Sequence, residues 1–491
     1  MANRDRLTGL DASFLHLEHD DATHMHVASC MVFDGPPPTH DELVAHVEAR
    51  LHLVPRYRQR LAFVPFDQGR PVWVDDPHFN SRYHVQHHAL PPPGSDEQLK
   101  HLAGRCFSQQ LDRNKPLWEL WLVEGLRDGR FAILGKTHHA LVDGISGVDI
   151  TTVLFDVAPE PAPTAAPEQP WVPRPLPSSA QLLADALLER ATVPAEILRG
   201  VRSVVSRPRR VAKELLGDLR AVSSFTLPGA RSAPPSPLNV HIGPHRRFTW
   251  CEEELDRVKA IKNALGGTVN DVVLATVAGG LGRYLRAHGH PTIDLALRAM
   301  IPVSVRADEE RGALGNQVAA VWASLPVGET DPVEQLALVR EEMGGLKESH
   351  QAVGAQLLTE LTGFAPPTVM AQAARLQARQ RYFNLVVTNV PGPQFPLYVL
   401  GRRMRAIYPM VPLAQKLALG IAIMSYDGVL AFGLNADYDA LPDVELLAAQ
   451  LGEALDELAV AAGLPPRRRR RVRARVASSN GRTTAETGAA T

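Results

Sequence analysis

Cysteine is scarce in this chain of 491 residues: only Cys30, Cys106 and Cys251 occur, far apart, odd in number and without CxxC spacing. That excludes a disulfide framework and a structural zinc site, and it fits a reducing compartment. Long hydrophobic runs are absent too. The longest, Leu417 to Met424, is about eight residues, well short of the roughly 20 that a membrane-crossing helix needs. No apolar segment follows Met1 to Arg6, so no secretory signal is expected. With a net charge of −1 the chain has no excess of positive charge to meet phosphates, so no nucleic-acid partner is expected. Neither HExxH nor G-x-S-x-G occurs, which removes the common zinc-protease and nucleophile-elbow signatures. The expectation is a protein that is soluble or peripherally attached to a membrane.

What is present is globular. Hydrophobic residues make up 45% and charged residues 21% of the chain, and the length calls for more than one core. Residues 1–157 mix helix and strand signals. Thr39 to Glu42 and Ser95 to Gln98 have capping-box spacing before apolar helical periods. Pro71 to Val74 and Tyr83 to Val85 read as short strands. Leu117 to Leu126 and Arg130 to Lys136 flank Arg127-Asp128-Gly129, a hairpin signal. Residues 158–247 are a Pro-rich linker holding a basic, amphipathic helical island from Ser179 to about Leu219. Residues 248–464 form a second mixed domain. There Thr249 to Glu252 reads as a capping box before the helix carrying Leu255 and Val258, and Thr268 to Asp271 starts another. Strands are expected over 295–305, 317–325 and 385–390, then a hairpin turning at Tyr426-Asp427-Gly428 and a last helix over 441–462. The Arg-rich tail, 465–491, is expected to be disordered.

The stretch His138-His139-Ala140-Leu141-Val142-Asp143-Gly144 carries the chemistry. Phe131 to Leu134 reads as a buried strand delivering the histidine pair, and Gly144 opens an expected helix. Histidine takes and returns a proton near neutrality, and a strand end holds it rigidly. A metal site needs several converging ligands, whereas adjacent side chains on a strand diverge. Ser146 lies on the wrong side of the motif for a nucleophile elbow. The reading left is a histidine acting as general base on a substrate hydroxyl or amine that attacks an activated acyl group, a thioester being the natural donor. Asp143 suits loop orientation, by pairing with an arginine, better than proton transfer.

This stretch resembles the HHxxxDG motif of the CoA-dependent acyltransferase superfamily. More narrowly, the chain resembles the bacterial wax ester synthase/diacylglycerol acyltransferase family. Leu7 to Phe14, Pro116-Leu117-Trp118, Leu238-Asn239 with Gly243 to Arg247, Asn270 to Ala275, Pro302 to Arg306 and Asn389 to Pro393 match its patterns in order. The resemblance implies a mixed α/β fold of two chloramphenicol-acetyltransferase-like domains with an active-site tunnel between them. It implies acyl-CoA as donor substrate, with no cofactor, and diacylglycerol or a long-chain fatty alcohol as acceptor. His139 would be the general base and His138 packed or supporting. Asp143 beside Gly144 would pair with Arg306. Asn270 and Asp271 would cap a helix or support the tunnel, and Asn and Asp are favoured in a first helical turn anyway. Pro116, Leu117 and Trp118 would shape an acyl channel at most, and Thr388 and Asn389 could donate to the oxyanion. The implied location is cytoplasmic, peripheral to the inner membrane or lipid droplets, where the basic helices and tail could touch anionic lipid. Two alternatives stand beside it: a condensation-type acyltransferase using a carrier-bound acyl group or another lipid alcohol, and a catalytically silent lipid-droplet-binding homologue.

Overall fold

The computed structural model describes residues 6–18, 22–142, 153–160, 169–188, 232–304, 318–348 and 382–465. Asp143, Gly144, Ser146, Arg306, the basic island beyond residue 188 and the arginine tail lie outside the described residues. In chain order the strands are β1 (His26–Phe33), β2 (Gln59–Ala62), β3 (Val72–Asp75), β4 (Val85–Ala89), β5 (Trp118–Glu124), β6 (Phe131–His138) and β7 (Arg246–Glu254). They continue with β8 (Leu297–Ser304), β9 (Val318–Leu325), β10 (Leu385–Pro391), β11 (Tyr398–Val399), β12 (Arg402–Met410), β13 (Leu419–Tyr426) and β14 (Val429–Asp437). Two six-stranded sheets result, ordered β11-β12-β1-β6-β5-β4 and β7-β14-β13-β10-β8-β9, with β2-β3 as a separate pair.

Strand β6 is buried at all eight positions, as expected for a central strand covered on both faces. Phe131 and Ile133 pack with Phe33 and Trp118, while Ala132 and Leu134 pack with Leu99, Phe107 and Phe248. Both hairpin signals hold. Asp128 and Gly129 take φ of 62° and 68° between β5 and β6, and Asp427 and Gly428 take 46° and 83° between β13 and β14. Short polar Asp and Gly tolerate this left-handed backbone. The capping boxes at Thr39, Ser95 and Thr268 are all formed.

The second sheet is covered by helices Leu255–Leu265, Val269–Ala287, Pro332–Glu348 and Val444–Ala461. Val273, Val277 and Leu281 of one meet Leu447, Leu451 and Leu455 of another in a core with β13 and β14. Each such buried side chain contributes roughly 1.5–3 kcal/mol.

Two local expectations are corrected. Thr249 to Glu252 is not a helix start but the middle of β7, paired with β14 from Glu254 to Arg246, and the following helix begins at Leu255 without a side-chain cap. Aromatic and β-branched residues beside a partner strand favour the ladder over a cap. Tyr83 ends a short helix, Ser81–His84, and β4 starts only at Val85. Strand β12 leaves the second half of the chain and pairs with β1, Ala28 opposite Met410. The first sheet is therefore completed by a late segment. Where β12 meets β14, a Cβ on Gly433 would stand 1.8 Å from the Pro409 carbonyl oxygen, so only glycine permits this approach. Residues 169–178, read as linker, are tied down: Arg174 binds Asp75 through its backbone N–H at 2.9 Å and its guanidinium at 3.2 Å.

Candidate active site

The antiparallel register sets His26 of β1 opposite His138 at the end of β6, so both side chains share one face. Helix Gly9–Leu17, capped by Thr8, ends at Glu18, whose carboxylate enters that face. Its Oε1 accepts the Met25 N–H at 2.6 Å and lies 3.1 Å from His138 Nε2 and 3.8 Å from His26 Nε2. Oε2 accepts from Arg113 at 2.5 Å. The His138 Nδ1 accepts the Ala140 N–H at 3.0 Å, which turns the Nε2 N–H toward Glu18, off a straight hydrogen-bond line.

The electrostatics follow from this packing. Burial works against ionising Glu18, but His138, His26 and Arg113 outweigh it and lower its pKa from 4.5 to about 2. Burial pushes His26 well below its ordinary 6.5, Glu18 only partly compensating. His26 is thus neutral at pH 7, and the carboxylate rests on Arg113 and the His138 donor.

His139 leaves the strand. It opens the short helix His139–Val142, and its N–H donates to the Met25 carbonyl at 2.8 Å. Its ring stacks on Phe14, centroids 4.0 Å apart, and is half-buried, whereas His138 is 1% exposed. The adjacent rings therefore diverge: one is held between a backbone donor and a buried carboxylate, the other lies flat against an aromatic face. A half-buried imidazole can meet a bound molecule, whereas the enclosed His138 has its Nδ1 on the Ala140 N–H and its Nε2 turned to buried Glu18.

The remaining expected residues fall into two groups. Leu117 offers its carbonyl to the His138 N–H at 2.9 Å. Trp118 is a core residue: its indole N–H reaches the Tyr57 carbonyl at 2.8 Å and His84 stacks on it at 4.6 Å. Pro116 precedes them at the start of β5. In the second half, Asn389 of β10 donates to the Asn270 side-chain carbonyl at 3.1 Å, joining two sites far apart in the chain. Asp271 closes a capping box with Thr268, its Oδ2 taking the Thr268 N–H at 2.8 Å. Thr388 is half-buried in β10 opposite Ala422. These belong to the second sheet, the histidine pair to the first.

Glu18, Arg113, His26 and Phe14 were not singled out in the sequence as site residues. Glu18 and Arg113 stand 95 positions apart, so no local spacing announces them. Among the described residues, no group of three His, Cys, Asp or Glu could hold a metal ion.

Comparison with known proteins gives this geometry its context. Residues 7–273 match the model of the wax ester synthase/diacylglycerol acyltransferase catalytic domain, and 314–459 match that of the WS/DGAT C-terminal domain. The chain belongs to this family. A Mycobacterium tuberculosis H37Rv relative, named a probable diacylglycerol O-acyltransferase (tgs2), is 34% identical over 464 residues, covering 92% of this chain and 98% of its own. The solved wax ester synthase/diacylglycerol acyltransferase from Marinobacter aquaeolei VT8 is 29% identical, with a TM-score of 0.64 over 94% of this chain and all of that one (100%). The first condensation domain of the CDA synthetase shares the fold at 15% identity, TM-score 0.55, covering 94% of this chain and 98% of its own. The mixed α/β architecture is that of the chloramphenicol-acetyltransferase-like proteins, and WS/DGAT members and condensation domains are its structural neighbours.

Proposed function

We propose that this WS/DGAT member transfers a long-chain acyl group from acyl-CoA to the hydroxyl of diacylglycerol, of a long-chain fatty alcohol, or of both. The observation that carries the proposal is the division within the histidine pair: His138 enclosed by Glu18 and Ala140, His139 half-buried on Phe14. In the proposed reaction His139 takes the acceptor's hydroxyl proton as the oxygen attacks the thioester carbon. The C–S bond breaks, and the CoA thiolate leaves with that proton. No cofactor enters this balance. His138 holds the end of β6 in place, and Asp143 beside Gly144 pairs with Arg306 to fix the loop. Thr388 or Asn389 supplies an oxyanion donor in a tunnel between the two halves. The acceptor resides in lipid, so the proposed working place is a cytoplasmic membrane or lipid-droplet surface. Among the described residues no single helix is long and apolar enough to cross a membrane.

The test is purified protein with labelled palmitoyl-CoA and either hexadecanol or diacylglycerol, alongside His139→Ala. The wild type forms ester with at least one acceptor, and His139→Ala loses about 10²–10⁴-fold. Full activity in His139→Ala overturns the mechanism. Lipid binding without product from either acceptor overturns the enzyme reading in favour of a lipid-binding homologue.

A further inference from the structure

The turn between β2 and β3 presents apolar side chains that no core accounts for. Phe66 takes a φ of 59°, in the left-handed region that bulky side chains avoid, yet its ring is 82% exposed. The Gln68 side chain donates to the Phe66 carbonyl at 3.0 Å, so polar contacts close the turn and burial of the ring does not. Phe63 on the same turn is exposed as well, while Val64 beside it is buried. At the root of the hairpin Leu61 and Trp73 are core residues. The fold therefore grips the hairpin by its root and holds two phenylalanines out at its tip.

A second apolar element ends beside this turn. Helix Ser179–Leu188 buries Leu182 and Ala186 and leaves Leu187 and Leu188 exposed. A Cβ on Gly69 would stand 2.9 Å from the Ala186 methyl and 3.3 Å from Val64, so the helix end and the hairpin tip form one patch. The surroundings are basic. Residues 53–72 hold Arg56, Arg58, Arg60 and Arg70 with Asp67 as their one acid, and the helix adds Asp185. The Arg6 guanidinium also borders Gly69. Arg56 and Arg58 lie over the Trp73 and Trp171 rings at 5.1 and 4.6 Å, whereas Arg60 is in no ion pair among the described residues. Beyond Leu188 the sequence of 189–231 has nine basic side chains against four acidic ones.

An apolar tip flanked by guanidinium groups fits the surface of an anionic bilayer. The rings enter the boundary between headgroups and acyl chains, and the arginines meet lipid phosphates. A protein partner is the poorer match, because a stable protein interface engages roughly 20–30 residues a side and this patch is one turn and one helix end. The hairpin also reaches the histidine site by a short path. The Pro71 carbonyl accepts the Leu7 N–H at 3.1 Å, and helix Gly9–Leu17 follows at once, carrying Phe14 onto the His139 ring. Tyr57, just before β2, takes the Trp118 indole N–H on its carbonyl.

We propose that the β2–β3 turn, with Phe63 and Phe66, and the end of helix Ser179–Leu188 dock this protein onto an anionic lipid surface. The proposal rests on the lipid-surface working place given above and names the part of the chain that makes the contact. Vesicles of phosphatidylcholine, with and without phosphatidylglycerol, are sedimented with the whole protein and with Phe66→Asn and Arg60→Ser. Asparagine accepts left-handed backbone, so Phe66→Asn keeps the urea stability of the wild type. Wild type binds the phosphatidylglycerol vesicles. Phe66→Asn weakens that binding about tenfold, and Arg60→Ser weakens it about fivefold. Acyl transfer to diacylglycerol held in those vesicles falls about tenfold in Phe66→Asn, while transfer to diacylglycerol in detergent micelles stays within about twofold. Absence of wild-type binding, equal binding by Phe66→Asn, or equal losses in vesicles and micelles overturns the proposal. So does a Phe66-dependent dimer in light scattering with unchanged vesicle binding, which makes the turn an interface between copies. If wild type forms no ester even in micelles, the acyl-transfer reading fails, while the sedimentation still decides the docking surface.

Discussion

Replacing Glu18 by glutamine tests whether a single buried carboxylate holds the histidine site together. The amide keeps the shape but loses the charge, and its NH2 end must face either Arg113 or the His138 Nε2–H, both donors. The magnitude follows from the shift of Glu18 from 4.5 to about 2. At about 1.4 kcal/mol per pKa unit, those roughly 2.5 units correspond to about 3 kcal/mol at neutral pH. That agrees with the loss of one or two charge-assisted hydrogen bonds at about 1.5–3 kcal/mol each. The pH dependence has a definite sign. A carboxyl whose folded-state pKa is depressed stabilises fully above its unfolded value of 4.5, and that contribution is lost as pH falls toward about 2. Urea unfolding followed by circular dichroism should separate wild type and Glu18→Gln by about 3 kcal/mol at pH 7 and by about half that near pH 3.2. A gap under about 1 kcal/mol at pH 7, or one constant from pH 7 to 3, would refute the reasoning.

Two further substitutions separate roles in the second half. Asp271→Ala removes the N3 partner of the Thr268 capping box, so thermal unfolding should report about 1 kcal/mol of lost stability with acyl transfer kept within about twofold. A tenfold fall in turnover at unchanged stability would instead make Asp271 part of the reaction site. Gly433→Ala forces a methyl group against the Pro409 carbonyl where β12 meets β14. It should cost about 1–3 kcal/mol or more in a urea melt, and a neutral result would mean that the strands slide apart freely.

The Glu18 network also ties the site to the meeting of the two halves. Met25 is gripped twice: its N–H by Glu18, its carbonyl by the His139 N–H. The same short loop offers the Ala22 carbonyl to Arg246 of β7. Movement of β7 relative to the first sheet would therefore reach His139 through three residues of backbone. Cys106, Phe107 and Leu99 pack with Phe248 and Ala431 across the same seam, so apolar burial and polar contacts hold one boundary.

The legible parts of this protein are those whose cause is local. The capping boxes at Thr39, Ser95 and Thr268 depend on a side chain and a backbone N–H three positions apart, and the Asp-Gly turns depend on two residues that accept left-handed backbone. The strand ending at His138 is legible from its apolar run, and the HHxxxDG stretch from its spacing. Thr249 to Glu252 shows the limit: the same four residues satisfy a cap pattern and a strand pattern, and pairing with β14 chose the strand. Which surface a segment meets is a property of the whole chain. Strand β12 joins the first sheet because β1 presents a free edge to it, and Arg113 meets Glu18 because helix Asp96–Ser108 delivers it there. The sequence by itself determined the capped helices, the Asp-Gly hairpins, the strand ending at His138 and the reactive residue types. Only the tertiary structure decided which histidine is enclosed, because a carboxylate from elsewhere in the chain had to be buried against one of them.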